Sequence, residues 1–448
     1  MRIMGLPLPG RWEEVERFSA PVTLGLVVAN TLVYLATSYD NLFLQVGDRW
    51  IGMLAFVPAY FARPEHLYRL FTSMFLHANL AHIFFNMLFL YTFGRGVESV
   101  MGSRNYLALY VTSGLLASFF HTAFLPLEGA TSAFIPALGA SGAISGVLGA
   151  YLLLFPGTRL TMCFFYFYFP VCFTTRAAVY LIFWFALQIL QGLLPGASLG
   201  VAVFAHAGGF IGGLALLPLL VSHERLETLR FYSSMRSFFR NIFFTERGFS
   251  QLGKYLLAFL IGIVAVTAVY SAVASESMGG VSKVLAVSVV SGGSTENESI
   301  IIQLSPEGLL DVTPIASSGV RVVVNRLKAL NLLYRYSSAG ESVSIQETSK
   351  GIVNDVPVDV SIRATLTFDR FGLLDSGSGH MTTDVLACDP YGFCRISGKG
   401  SYEFSVAPEG TMVGLKGVPV LELSLLSLVA CMVAVSHVLK AERYAIVE

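Results

Sequence analysis

The sequence predicts an all-α polytopic membrane bundle carrying a small β-rich domain outside the bilayer. Hydrophobic residues make up 54% of the chain against 13% charged, with a mean hydropathy of +0.66, far to the apolar side of a soluble globular protein. Eight stretches, 20–38, 80–97, 105–125, 139–156, 177–194, 200–221, 255–274 and 419–439, approach the roughly 20 residues that a helix needs to cross a bilayer. Between the last two, residues 275–418 turn polar and alternate with a period of two.

Residues 1–19 carry Arg2, Arg11, Glu13, Glu14 and Arg17 with no preceding apolar core, so a cytoplasmic N-terminus and no cleavable signal are expected. Net charge is zero, which gives no overall basic bias toward nucleic acid. Orientation follows from the connections. Arg95 and Arg104 follow the second stretch, Arg159 and Arg176 the fourth, and Arg225, Arg230, Arg236, Arg240, Arg247 and Lys254 the sixth. If the spans alternate, all fall on one side with both chain ends, and that side is cytoplasmic.

The segment 39–79 then lies outside. Its Trp50, Met53, Phe56, Tyr60, Phe61, Leu67, Tyr68, Phe71 and Phe75 predict interfacial helices with aromatic rings at headgroup level. Residues 223–254 mix arginines with phenylalanines and predict a cytoplasmic basic amphipathic linker against anionic lipid. A seventh helix over 255–274, an extracytoplasmic domain over 275–418, an eighth helix over 419–439 and a cytoplasmic tail over 440–448 complete the chain. In the outer domain, Ile362, Ala364, Leu366 and Phe368 alternate with polar residues, as do Tyr402, Phe404 and Val406. Together with runs at Ile300–Leu304 and Val320–Val324, they predict strands of a sandwich.

Cys163, Cys172 and Cys431 lie in or beside apolar stretches and are expected to be inert packing thiols. Cys388 and Cys394 flank the turn Asp389-Pro390-Tyr391-Gly392-Phe393, where a disulfide and two reduced thiols both fit. No Cys/His grouping has zinc-ligand spacing, and no metal or other cofactor is expected.

Polar side chains at membrane depth cost free energy unless paired, and by default they mark function. Ser141 opens the fourth stretch, His206 sits about two turns into the sixth, and His82 and Asn86 lie at the start of the second. With alternating spans, these three stretches run the same way, which brings all four residues to one depth near the outer surface. Gly142-x-x-x-Gly146, Gly208-x-x-x-Gly212 and Gly209-x-x-x-Gly213 supply small faces that let helix backbones approach closely. A hydrogen-bonded histidine is what a serine hydroxyl needs to act as a nucleophile. His82 and Asn86, four residues apart on one helical face, with the Ser141 amide, are candidates for stabilising an oxyanion. No acidic residue lies inside these spans, so the expectation is a Ser141/His206 dyad without a third member.

Gly139-Ala140-Ser141-Gly142, Ala205-His206-Ala207-Gly208-Gly209 and the His82/Asn86 pair, in this order, resemble the rhomboid intramembrane serine proteases over residues 20–222. The resemblance implies a six-helix rhomboid fold with two further transmembrane helices, and cleavage of transmembrane protein substrates near their outer ends within the lipid bilayer. Gly139, Gly142, Gly209 and Gly213 are expected to support the structure through close backbone approach, and by the same resemblance Arg69 does so too, with Tyr68-Arg69 standing where the family usually has Trp-Arg. Ser145 occupies the place of an aromatic ring that often stacks on the base. Phe85, Phe183, Trp184 and Phe185 are expected to face lipid, or by resemblance to flank a lateral gate. A catalytically silent rhomboid-like protein that binds membrane clients is the alternative, which intact Ser141 and His206 disfavour. Spans without charged residues along a continuous path disfavour a solute transporter.

Overall fold

The computed structural model describes residues 6–9, 20–128, 130–166, 169–194, 203–240, 249–275, 281–304, 310–353, 356–388, 394–413 and 418–446. The turn 389–393, residues 241–248 of the expected linker and most of the first 19 residues lie outside them. The helices are α1 (Pro21–Ser38), α2 (Asp48–Leu54), α3 (Arg69–Thr72), α4 (Leu80–Met101), α5 (Ser103–Ala123), α6 (Leu125–Glu128), α7 (Ser141–Leu154), α8 (Ala177–Leu193), α9 (Val203–Leu220), α10 (His223–Arg240), α11 (Gln251–Ala274), α12 (Ser318–Ala329) and α13 (Val420–Leu439). Each of the eight apolar stretches is therefore a helix. Among the described residues, four stretches, Pro21–Asn41, Val203–Leu220, Gln251–Ala274 and Val420–Leu439, are long and apolar enough to cross a membrane, and α7 and α8 are shorter apolar helices.

Glycine sets how these helices meet. A Cβ at Gly142 would stand 2.5 Å from Ala117 on α5, and one at Gly146 would overlap Ser113. As residue numbers rise on α7 they fall on α5, so the two helices are antiparallel. Across α9, a Cβ at Gly209 would overlap the Gly142 carbonyl and one at Gly213 the Gly146 carbonyl. Here the numbers rise together, and α7 and α9 run parallel with backbone against backbone. Glu98, near the end of α4, accepts from the Val22 and Thr23 amides (3.0 and 2.8 Å) and from the hydroxyls of Thr23 and Ser103 (both 2.7 Å). It thus satisfies the otherwise unpaired first N–H groups of α1.

The strands are β1 (Leu6–Pro9), β2 (Arg159–Tyr166), β3 (Phe169–Arg176), β4 (Val281–Ser291), β5 (Ser294–Leu304), β6 (Leu310–Val312), β7 (Ser342–Val353), β8 (Val356–Phe368), β9 (Leu374–Cys388) and β10 (Cys394–Val413). The first three form an antiparallel sheet in which β1 pairs with the β2–β3 hairpin that joins α7 to α8, a hairpin that the apolar, aromatic run 160–173 did not announce. Cys172, expected to be an inert thiol, is disulfide-bonded and stands opposite Cys163 in the β2–β3 register. Cys394 is also disulfide-bonded and faces Cys388 across β9 and β10, while Cys431 is free and buried.

The remaining seven strands form one antiparallel sheet in the order β6-β5-β4-β10-β9-β8-β7, which replaces the expected sandwich. Its buried face carries Val358, Val360, Ile362, Ala364, Leu366 and Phe368 in strict alternation along β8. The second layer is α12, which includes the expected strand Val320–Val324. Val320, Val323, Val324 and Leu327 are all buried, a spacing of three and four that makes one helical face. Glu298 accepts from the Ala316 and Ser317 amides and Glu296 from the Gly319 amide (2.7 to 2.8 Å), capping α12 from β5. Arg326 then ties the helix to Thr383 Oγ1 and the Asp384 carbonyl, both at 2.8 Å. Buried Lys283 is paired with Asp369 at 2.9 Å and with Asp375.

The sheet rests on segment 39–79, which is built of short helices. Val57, Ala59 and Tyr60 are buried in one cluster with Leu125, Ala133, Phe134, Val284, Ile301 and Val420. Arg321 pairs with Asp48 at 2.8 Å and Arg63 with Glu409 at 3.2 Å. At this joint the His66 ring lies 4.3 Å from that of Tyr60, and burial, aided by Arg69 and Arg63, holds its imidazole down to about 4.

Candidate active site

Four helices converge on one cluster. Ser141 is the first residue of α7, and His206 lies one turn into α9. Because α7 and α9 are parallel and separated only by glycines, the two side chains meet, with Ser141 Oγ 2.8 Å from His206 Nε2. The other ring nitrogen, Nδ1, lies 2.8 Å from Gln188 Oε1 on α8.

The loop before Ser141 is fixed from below. The Gly139 amide donates to the Ser73 carbonyl at 2.9 Å, and the Ala140 amide to His77 Nε2 at 3.4 Å. Gly139 has φ +119°, and a Cβ there would stand 2.8 Å from the His82 ring, so only glycine serves at this point. Buried Arg69 anchors the neighbouring segment through the carbonyls of Gly52 (2.5 Å) and Ala55 (3.3 Å), with the Tyr60 ring 4.8 Å from its guanidinium.

His82 and Asn86 reach the cluster unequally. Asn79 caps α4 by accepting from the His82 amide at 2.9 Å, and His82 Nδ1 accepts from the Ala78 amide at 3.4 Å. That leaves Nε2–H of His82 as a donor beside Gly139. Asn86 donates to the His82 carbonyl at 3.0 Å within its own helix, keeping one amide N–H in reserve.

Several residues outside the expected set also line the cluster. Gln188 is the foremost, and its signal is a polar side chain inside an apolar span, the same signal that marks the serine and histidines. His121, expected to be an interfacial residue, is buried on α5 and within electrostatic reach of His206. Trp184 and Phe185 point inward rather than to lipid. The Trp184 ring lies 6.2 Å from that of His206, and Phe185 stacks on Phe210 at 4.7 Å, while Phe183 is exposed. Ser145 donates to the Ser141 carbonyl at 2.7 Å and provides no ring. Among the described residues no group of His, Cys, Asp and Glu side chains could hold a metal ion.

The family model described as the Rhomboid domain matches residues 64–223. Rhomboid-like protein 14, mitochondrial, of Arabidopsis thaliana is 27% identical over 257 residues, covering 54% of this chain and 65% of its own length. Rhomboid protease GlpG of Salmonella choleraesuis (strain SC-B67) is 31% identical over 106 residues, covering 24% of this chain and 36% of that protein. The chain thus spans less than two thirds of either relative. The domain match takes in every helix that contributes to the cluster, and residues 64–223 of this integral membrane protein are similar to the Rhomboid domain.

Proposed function

We propose that the chain is an intramembrane serine endopeptidase that hydrolyses peptide bonds in or near transmembrane segments of membrane proteins. The 2.8 Å contact between Ser141 Oγ and His206 Nε2 carries the reading. Ser141 attacks the scissile carbonyl carbon as His206 Nε2 takes the hydroxyl proton. The tetrahedral oxyanion is met by the Ser141 amide, His82 Nε2–H and the free amide N–H of Asn86, each donor contributing on the order of 3 kcal/mol. Collapse breaks the C–N bond, His206 passes its proton to the leaving amine, and water then cleaves the acyl-enzyme with His206 again as base.

In this reading α1, α4, α5, α7, α8 and α9 form a six-helix membrane bundle, and α11 and α13 add two spans around the outer β-rich domain. Both termini are cytoplasmic, and the site opens to the extracytoplasmic side. A peptide bond inside a regular helix is shielded, so the substrate is a spanning protein whose helix unwinds near the outer leaflet. Cysteine-free reporters with a single span, co-reconstituted with the wild type and with Ser141→Ala, test it. The wild type is expected to cleave and the variant to lose cleavage entirely. Equal processing by both would end the protease reading, and binding without cleavage by both would leave a client-binding protein.

A further inference from the structure

Neutral imidazole carries one proton on one of two nitrogens, and only the tautomer with a bare Nε2 can take the proton of Ser141. We propose that Gln188 is a positioning residue that selects this tautomer, holding the base ready from α8. The inference rests on the dyad proposed above. An amide Oε1 only accepts, so at 2.8 Å from Nδ1 it requires the proton there. Nε2 is then left as the acceptor for the seryl O–H, also at 2.8 Å. The reverse amide orientation would place the proton on Nε2 and make Ser141 an acceptor, with no base beside it.

The helix that supplies Gln188 also supplies the only aromatic contact to the ring among the described residues. Trp184 and Gln188 are four residues apart, on one face of α8, and the Trp184 ring lies 6.2 Å from that of His206 at an interplanar angle of 37°. From α7, by contrast, Ser145 turns back to the Ser141 carbonyl. The base is thus oriented by a helix that carries neither of the two reacting side chains, and a shift of α8 would disengage both contacts together. An amide partner adds no charge. It fixes the proton without the strong stabilisation of imidazolium that a carboxylate would provide, and this difference can be measured.

The full-length protein in detergent is treated with a fluorophosphonate, and the labelling rate at Ser141 is followed against pH. Among the described residues, the other titratable groups that act electrostatically on His206 are His82 on α4 and His121 on α5, and both are unchanged in every variant. Gln188→Leu is expected to slow labelling about 10- to 100-fold, within the span of general-base contributions, with the probe concentration at half-saturation unchanged. Gln188→Glu, nearly isosteric, is expected to restore labelling and to move the rising limb of the profile about one pH unit or more higher. A purely structural role would lower thermal stability and leave that limb in place. Labelling by Gln188→Leu within about twofold of wild type, or a Gln188→Glu profile superimposed on wild type, overturns the inference; the twofold bound lies well below the general-base span. If the wild type is not labelled, or Ser141→Ala is, the dyad itself fails and the inference with it. A labelled wild type, a silent Ser141→Ala and indifferent Gln188 variants would remove the inference alone.

Discussion

The helical bundle and the seven-stranded sheet solve the packing problem in opposite ways. Along α7 and α9, contact depends on atoms that are missing, since any side chain at Gly209 or Gly213 would run into a carbonyl of the facing helix. Along β8, contact depends on side chains that are present, six in alternation from Val358 to Phe368, all buried. In lipid there is no hydrophobic force between helices, so close backbone approach must supply the attraction; in water the sheet gains from burying apolar area. The consequence is that polar chemistry fits the bundle. Backbones in contact bring short polar side chains such as Ser141 within reach of His206, whereas the sheet domain reaches its buried polar partners with long side chains, Lys283 to Asp369 and Arg326 to Thr383.

The contrast predicts opposite sensitivities. Gly213→Val should have the largest effect, because backbone cannot retreat as a flexible side chain does. A loss of more than about 4 kcal/mol is expected, read as absence of both a cooperative thermal transition and phosphonate labelling in detergent. A variant that melts and labels like the wild type would show that α7 and α9 are not held backbone to backbone.

In the sheet the damaging change runs from large to small. Leu366 is fully buried, and Leu366→Ala should cost roughly 2–5 kcal/mol through lost contacts and a residual cavity. The expected readout is faster proteolysis within the sheet with Ser141 labelling retained. Loss of labelling together with the sheet would mean that the two halves fold as one unit.

The same contrast explains what the sequence revealed. The bundle's site was legible because glycine spacing and intramembrane polarity are local signals, so Ser141, His206, His82 and Asn86 could be named together before any contact was known. Gln188 carried the same signal of polarity inside an apolar span, but it belongs to no motif and its role depends on the placement of α8 against α9. In the sheet domain, strand alternation was plain for β8 and β10, but alternation marks a buried face without saying what buries it. The covering layer turned out to be α12. Val320 to Val324 read as a strand because β-branched residues favour one; the buried set at 320, 323, 324 and 327 followed the helical period instead. Cys172 misled for a related reason, since its partner position lies across a hairpin hidden in an apolar aromatic run.

The joint between the two halves allows the finest test, since it combines both kinds of contact. Its apolar part, with Val57, Tyr60, Phe134, Val284 and Ile301, is buried, while the Arg321–Asp48 pair sits at its rim with the Asp48 side chain 77% exposed. Solvent screens such a pair and ordering two long side chains costs entropy, so Arg321→Ala should change stability by only about 0–1 kcal/mol. Raising salt to about 1 M, where the screening length falls to about 3 Å, should erase even that difference between variant and wild type. A crosslink between cysteines introduced at Asp48 and Arg321 would report on attachment independently of the ion pair. If Arg321→Ala alone made the sheet as protease-sensitive as Leu366→Ala does, the charged rim rather than the apolar cluster would be what holds the sheet domain to the bundle.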